Sequence, residues 1–297
     1  MRHRLRSHSA PAALLAPFAL LFLGLFVVPI GYAAYQSLLK IERTGALGLG
    51  GSHTVFAGVT NYTRALHEPG FVDSLLRVLL FAIIEVPVMV VLSVALALLL
   101  ESASAFAPRV FRSAYFLPFG VPGVIASILW GFLYVPGVSP IVDLLGHLGL
   151  KVDFLSTGTV LWSIANIVTW EFAGYNVLVV VAQLQAVPAE LYEAARVDGA
   201  SGWKVMRAIK LPLARPAIVL ITVFTIIGTL QLFAEPLVLK PISPSISSHY
   251  TPNLSAFNAA FQYNDYNLAA AESVILALSA CVLSFVFLRL VGRRGAR

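Results

Sequence analysis

Residues 188–216, PAELYEAARVDGASGWKVMRAIKLPLARP, form the most polar segment between two long apolar runs, and this segment decides how the rest of the chain is arranged. Its first part predicts a short helix, because Pro188 suits a first helical turn, where its missing N–H would have no partner. Asp198-Gly199 is typical of a helix stop, and Ser201 can cap a second helix. We therefore expect two short helices joined by a turn.

The second of these helices is predicted to be basic and amphipathic. Lys204, Arg207 and Lys210 lie on one side of it, and Pro212 and Pro216 are expected to end or kink it. A helix with this charge could lie on the surface of anionic lipid. Lipid attraction would account for the charge, but it would not fix the spacing of the uncharged residues.

That spacing is specific: Glu193-Ala194-Ala195, three residues, Gly199, nine residues, then Ile209-Lys210-Leu211-Pro212. It resembles the EAA loop of permease subunits in bacterial binding-protein-dependent ABC importers of the carbohydrate type, which have a MetI-like transmembrane domain. In that family the loop is cytoplasmic and docks as a coupling helix into a cleft of the ATPase subunit. The resemblance implies an ATPase-coupling contact made by Glu193, Ala194, Ala195, Asp198, Gly199, Leu211 and Pro212.

A longer segment carries the same resemblance. Residues 162–202 are similar to carbohydrate-type permeases over their whole length, including Ala173-Gly174-Tyr175-Asn176 ahead of the loop. The Gly-Gly-Gly-Pro segment that usually follows Glu-Pro in the sugar branch is missing after Glu235-Pro236. This departure bears on the substrate and leaves the coupling loop untouched.

Composition indicates an integral membrane protein. Of the 297 residues, 59% are hydrophobic and 11% are charged, whereas soluble domains carry about 25% charged residues. A net charge of +6 would suggest nucleic-acid binding in a soluble chain. Here most Lys and Arg flank apolar runs, so membrane topology explains them better, and the expected environment is the lipid bilayer with no nucleic-acid partner.

The predicted fold class is all-α, a polytopic membrane protein with six transmembrane helices. The resemblance implies the type I ABC importer permease fold, a five-helix core preceded by one extra helix. Glu85 and Pro87 interrupt the second span, and a short helix is expected around residues 141–148, outside the membrane. The expected spans are residues 9–39, 78–100, 113–135, 155–187, 217–239 and 268–290.

The expected domain organisation is a cytoplasmic tail at residues 1–10, one transmembrane domain at 11–291 that includes the loop at 188–216, and a cytoplasmic tail at 292–297. Fourteen of the 20 Lys and Arg residues fall on the segments assigned to the inside and six on those assigned to the outside. The positive-inside rule then places both termini in the cytoplasm of a multi-pass protein of the cell membrane. The same orientation brings the EAA loop within reach of an ATPase.

No catalytic or metal site is expected. The chain lacks the G-x-x-x-x-G-K-[ST] phosphate-binding loop, so we expect ATP-Mg to bind a partner subunit and this chain to be a transport subunit, without a cofactor of its own. The six histidines lie in tails and loops without metal-ligand spacing.

Polar side chains inside the spans are candidates for a substrate path, because they are costly in lipid unless they face protein or water. A neutral sugar needs amide or carboxylate partners for its hydroxyls and an aromatic ring for its apolar face. The same residues could instead hydrogen-bond neighbouring helices. The candidates are Asn166, Thr169, Trp170, Glu171, Tyr175, Asn176, Thr225, Thr229, Gln231 and Glu235.

Three functional hypotheses follow. The first is a permease for a sugar or oligosaccharide that works with a second permease as a heterodimer, two ATP-binding subunits and an extracytoplasmic solute-binding protein. The second is an importer of the same class for another small polar solute, a polyol or a glycerol phosphate ester; the absence of Lys and Arg from the middle of the spans disfavours a permanently anionic solute. The third is a proton-coupled secondary carrier that uses Glu85, Glu171 and Glu235, against which the EAA loop argues.

Overall fold

The computed structural model describes residues 13–43, 51–102 and 106–295. The predicted tail at residues 1–10 therefore lies outside the described residues, as does the end of the predicted tail at 292–297. Two strands, β1 (Leu39–Arg43) and β2 (Ser52–Phe56), pair antiparallel. The helices are α1 (Ala13–Gln36), α2 (Thr60–His67), α3 (Pro69–Leu100), α4 (Pro108–Phe116), α5 (Gly123–Tyr134), α6 (Pro140–His147), α7 (Val160–Gln185), α8 (Ala189–Val197), α9 (Gly202–Val205), α10 (Leu211–Leu230), α11 (Ala234–Leu239), α12 (Pro252–Phe261) and α13 (Tyr266–Gly295).

The helical fold class is confirmed, with the hairpin as an element that the sequence prediction missed. Within the described residues, five helical segments are long and apolar enough to cross a bilayer, or six if one bent pair counts as a single span. The five are α1, α3, α7, the stretch Gly202–Ile242 and α13. The bent pair consists of Pro108–Gly120 and Gly123–Tyr134.

The prediction of the third span as one helix over 113–135 is wrong. Its two halves meet at 98°. Pro118 lies in a 3₁₀ turn, Leu117–Gly120, and Pro122 directly precedes α5. Each proline removes a backbone N–H and disfavours helical geometry in the residue before it. Two prolines four residues apart therefore break the helix.

The second span begins earlier than predicted and is not interrupted. Helix α3 starts at Pro69 rather than Val78, and Pro87 lies inside it. A 32-residue helix is about 48 Å long, whereas a hydrocarbon core is about 30 Å thick. The helix is therefore longer than a perpendicular crossing requires. It also continues past Pro87, although this proline has no N–H and cannot make one of the helical hydrogen bonds.

At the end of the polar segment, one of the two outcomes predicted for Pro212 and Pro216 is wrong. Pro212 and Pro216 do not end the second helix: α9 continues through a π-type turn, Met206–Lys210, into α10. Pro212 and Pro216 both lack the N–H of a helical hydrogen bond, but the helix continues past both of them. The fifth span therefore continues directly from the loop. Its main helix, α10, ends at Leu230, whereas the apolar stretch continues through α11 to Ile242.

The chain divides into two compact units. The first comprises Met1–Val72 and Ser255–Ile275. In it, Asn61 on α2 donates hydrogen bonds to the carbonyls of Ser37 and Leu39, at 2.8 and 2.7 Å, and so fixes α2 against the start of the hairpin. No residue in the most apolar part of α1 is buried.

The second unit, Asp73–Leu254 with Leu276–Arg297, holds the elements of interest for function. Apolar side chains of α3, α7 and α10 pack into one cluster that includes Leu100, Val181 and Ile221. Helices α4 and α7 approach very closely, since a Cβ placed on Gly174 would lie 1.6 Å from the carbonyl oxygen of Tyr115. Only a glycine allows this contact.

Candidate functional site

The turn of the polar segment is defined by backbone hydrogen bonds. After α8 the amide of Ala200 donates to the carbonyl of Ala195 at 2.9 Å, and the amide of Gly199 donates to the carbonyl of Arg196 at 3.0 Å. This is the Schellman pattern of a helix end, which needs a left-handed residue. Gly199 supplies it with a φ of +75°.

The predicted coupling residues lie at or near the surface of this segment. Ala195 and Leu211 are half-buried, and the other five, Glu193, Ala194, Asp198, Gly199 and Pro212, are exposed. The sequence prediction did not include Val197, an apolar side chain that is 88% exposed on α8. Its position four residues after Glu193 could have indicated it, because residues at this spacing share a helix face.

Tyr192 links α8 to the end of α7. Its hydroxyl donates a hydrogen bond to the carbonyl of Leu184 at 3.4 Å. Burial, and to a lesser extent the negative charge of Glu101, raise the pKa of Tyr192. The hydroxyl therefore stays protonated at neutral pH and keeps its role as a donor.

A cavity of about 500 Å³ lies among α7, α10 and α11. Six of the ten predicted path residues line it: Tyr175, Asn176, Thr225, Thr229, Gln231 and Glu235. The remaining wall is mostly apolar and includes Met89, Phe119, Phe172 and Phe224. Among the described residues, no Lys, Arg or His lines this cavity.

The polar groups of the cavity come from α7, α10 and α11. The Asn176 amide donates to the Thr225 hydroxyl at 3.4 Å, and that hydroxyl donates to the carbonyl of Ile221 at 2.7 Å. The buried hydroxyl of Thr229 has no hydrogen-bond partner among the described residues. Glu235 lies in the first turn of α11 and is 7% exposed. The cavity thus offers amide, hydroxyl and carboxylate groups to a solute.

An aromatic pair forms part of the same wall. The rings of Phe119 and Tyr175 are stacked with centroids 4.8 Å apart, and Phe172 meets Phe119 edge-on at 5.9 Å. The sequence prediction did not include Phe119. The 3₁₀ turn Leu117–Gly120 places its ring beside α7. Aromatic faces beside a few polar groups are typical of sites for small polar molecules with an apolar face.

The other four predicted path residues lie outside this cavity and contact neighbouring helices. Asn166 donates to the hydroxyl of Tyr134 at 2.9 Å, and Thr169 donates to Glu85 at 2.9 Å. Trp170 meets the ring of Trp130 edge-on, with centroids 6.0 Å apart. These contacts are those expected of polar and aromatic residues that join helices in a membrane.

Glu171 packs at the break of the third span. A Cβ on Gly123, the first residue of α5, would lie 3.4 Å from both of its carboxylate oxygens. A carboxylate is favourable beside a helix N-terminus, where backbone N–H groups lack helical partners. Glu171 therefore packs against the start of α5 and does not line the cavity, and its Oε2 atom has no hydrogen-bond partner among the described residues.

Comparisons with known proteins identify relatives of this chain. The model of the family "Binding-protein-dependent transport system inner membrane component" matches residues 54–296. The trehalose transport system permease protein SugA of Mycobacterium tuberculosis is 29% identical over 281 residues, which cover 94% of this chain and 87% of SugA. The sn-glycerol-3-phosphate transport system permease protein UgpA of Pectobacterium atrosepticum is 26% identical over 294 residues, which cover 97% of this chain and 96% of UgpA.

A solved structure shares the fold. It is a bacterial alginate ABC transporter in complex with an alginate pentasaccharide-bound periplasmic protein. One of its chains matches with a TM-score of 0.78 at 20% identity, covering 96% of this chain and 94% of that chain.

Proposed function

The chain belongs to the family of inner membrane components of binding-protein-dependent transport systems, and from that premise we propose that it is the permease subunit of an ATP-driven importer for a neutral sugar or oligosaccharide. The observation that carries this proposal is the cavity among α7, α10 and α11. Its hydroxyl, amide and carboxylate groups suit sugar hydroxyls, and the Phe119–Tyr175 stack suits the apolar face of a sugar ring.

The partners follow from the same proposal. The chain would pair with a second permease as a heterodimer, with two ATP-binding subunits on the cytoplasmic side, and with an extracytoplasmic solute-binding protein. The periplasmic protein bound to the alginate transporter supports the last of these. The distribution of Lys and Arg supports an orientation with both termini in the cytoplasm.

In this scheme the ATPases act on the permease through α8. The chain holds no P-loop sequence, so ATP-Mg would bind the partner ATPases, and the chain itself would perform no hydrolysis. Closure of the ATPases would move α8 and its exposed residues Glu193, Ala194, Val197 and Asp198. Because α9 continues into α10, which lines the cavity, movement of the loop would be transmitted along this span.

An anionic solute is a weaker candidate. UgpA belongs to a transport system for a phosphate ester, but in the described part of this chain no cationic side chain lines the cavity, and Glu235 would repel a phosphate. A thermal-shift screen of the cognate solute-binding protein distinguishes the two. We expect stabilisation by neutral saccharides and none by sn-glycerol 3-phosphate; the reverse result would reject the sugar assignment.

A proton-coupled carrier is also testable. Of its three proposed carboxylates, only Glu235 lines the cavity, while Glu85 accepts from Thr169 and Glu171 packs beside Gly123. We expect uptake to stop when ATP is depleted and to continue when a protonophore collapses the proton gradient at constant ATP. Uptake with the opposite sensitivity would contradict the ATP-driven assignment.

The cavity itself can be tested with two asparagines of one helix. Asn176→Ala removes an amide that lines the cavity, whereas Asn166→Ala removes an amide outside it. Losing one neutral hydrogen bond costs about 1 kcal/mol, so we expect uptake at subsaturating solute to fall roughly fivefold for Asn176→Ala. Uptake into proteoliposomes, with Asn166→Ala near wild type, is the measurement. Equal uptake by the two variants would show that the cavity does not carry solute.

A further inference from the structure

Glu101, the residue that follows α3, contacts the inner ends of three other spans. Its carboxylate accepts a hydrogen bond from the guanidinium of Arg112 on α4 at 2.5 Å and from the amide of Gln185, the last residue of α7, at 3.2 Å. Its backbone carbonyl accepts from the ammonium of Lys210 at 2.5 Å, just before α10. One residue therefore joins the ends of α3, α4, α7 and the loop that leads into α10.

The same contacts reach α8. The ammonium of Lys210 lies over the face of the Tyr192 ring, 5.7 Å from its centre. The Tyr192 hydroxyl in turn donates a hydrogen bond to the carbonyl of Leu184. In the described chain, α8 has no buried residue of its own. Apolar packing therefore holds α8 weakly, and polar contacts through Tyr192 and Lys210 provide much of its attachment to the bundle.

The space beside these contacts is open. A cavity of about 970 Å³ lies between α3 and the segment that contains α8 and α9, and Glu101, Tyr192, Arg196 and Lys210 line its polar part. The opposite wall is apolar and belongs to α3, including Val90, Val94 and Leu98. This volume leaves room for the loop to move relative to α3 without an overlap of side chains.

The carboxylate of Glu101 is well placed to transmit such a movement. Its side chain is 19% exposed and that of Arg112 is 28% exposed, so water screens this ion pair only partly. Charge-assisted hydrogen bonds of this kind are stronger and more directional than neutral ones. Arg109, on the same helix as Arg112, is exposed and has no ion pair within the described residues.

We infer that Glu101 is a positioning residue for energy coupling, which holds Arg112 and Gln185 with its carboxylate and Lys210 with its carbonyl, so that movement of α8 reaches the inner ends of α3, α4 and α7 together. This inference rests on the proposed function. It assigns a role to Glu101, which lies outside the EAA loop and does not line the cavity among α7, α10 and α11.

The test uses the complete complex in nanodiscs or proteoliposomes, with four variants of this chain. Glu101→Gln and Arg112→Ala remove the ion pair, Glu101→Asp keeps the charge, and Arg109→Ala is the matched control. We expect the two disrupting variants to assemble and hydrolyse ATP but to move about tenfold less solute per ATP hydrolysed, the change expected from losing a hydrogen bond between charged groups. We expect Glu101→Asp to keep most of the coupling and Arg109→Ala to behave as wild type.

Each other outcome overturns the inference. Normal coupling in Glu101→Gln and Arg112→Ala would show that the contact does not transmit movement. Failure of both variants to assemble would assign the contact to folding instead. These results differ from a failure of the proposed function, which would appear in the wild-type complex as ATP hydrolysis that does not respond to the loaded solute-binding protein.

Discussion

Gly174→Ala is expected to prevent the second unit from folding into a stable permease. A Cβ at this position would lie 1.6 Å from the Tyr115 carbonyl oxygen and 2.4 Å from its carbonyl carbon, and both are backbone atoms that cannot rotate away. Helices α4 and α7 would have to separate, which also disturbs the apolar contacts of Tyr115 with the cluster that α3, α7 and α10 share. Overpacking of this kind costs about 3 kcal/mol or more.

The measurement is the yield and the thermal midpoint of the detergent-purified complex, which we expect to be lost or strongly lowered. Gly228→Ala is the matched control, since Gly228 also lies inside a spanning helix, α10, and a Cβ there would meet nothing within 4 Å. Alanine is the better helix former, so this control should be as stable as wild type. Equal stability of the two variants would contradict the close approach of α4 and α7.

Gly199→Val is expected to leave membrane insertion intact but to abolish stimulation of the partner ATPase. Gly199 has a φ of +75°, and valine is strained there by about 1–3 kcal/mol. The Schellman hydrogen bonds from Ala200 to Ala195 and from Gly199 to Arg196 would break or shift. The exposed residues Glu193 and Asp198 would then leave the positions at which a partner meets them.

ATP hydrolysis with and without loaded solute-binding protein measures this effect. A strain of this size predicts a loss of about tenfold or more, which leaves no measurable stimulation. Gly199→Asn is the matched control, because asparagine tolerates the left-handed region. We expect it to keep most of the stimulation. Normal stimulation in Gly199→Val would refute the coupling role of this turn, and an equal loss in Gly199→Asn would show that the backbone conformation is not the cause.

The sequence predicted the number and approximate positions of the spans because their apolar runs are long and their ends carry Lys and Arg. It failed where proline effects depend on context. Pro118 and Pro122 break a helix, whereas Pro87 and Pro216 lie within continuous helices. A proline inside a helix removes one backbone hydrogen bond, and the packing of neighbouring helices decides whether the helix continues.

The residue types of the candidate site could be predicted from the sequence. Which of these residues line the same cavity could not. Helical spacing identified Asn176, Thr225 and Thr229 as polar residues of two spans, and the structure places them in one cavity. Thr169 and Glu171 are also polar residues of α7, yet they contact other helices. Which side of α7 faces open space depends on its neighbours, including the 3₁₀ turn that carries Phe119, and spacing within one helix does not contain that information.

The Schellman turn after α8 is built from main-chain amides and carbonyls. The only residue type that it requires is the glycine at its left-handed position, Gly199. Glu193, Ala194 and Val197 on its outer face can therefore be exchanged without altering its shape. Under the proposed function, a few substitutions on this surface would be enough to change which ATPase the loop contacts. The backbone geometry of the turn and the side chains that contact a partner can therefore change independently of each other.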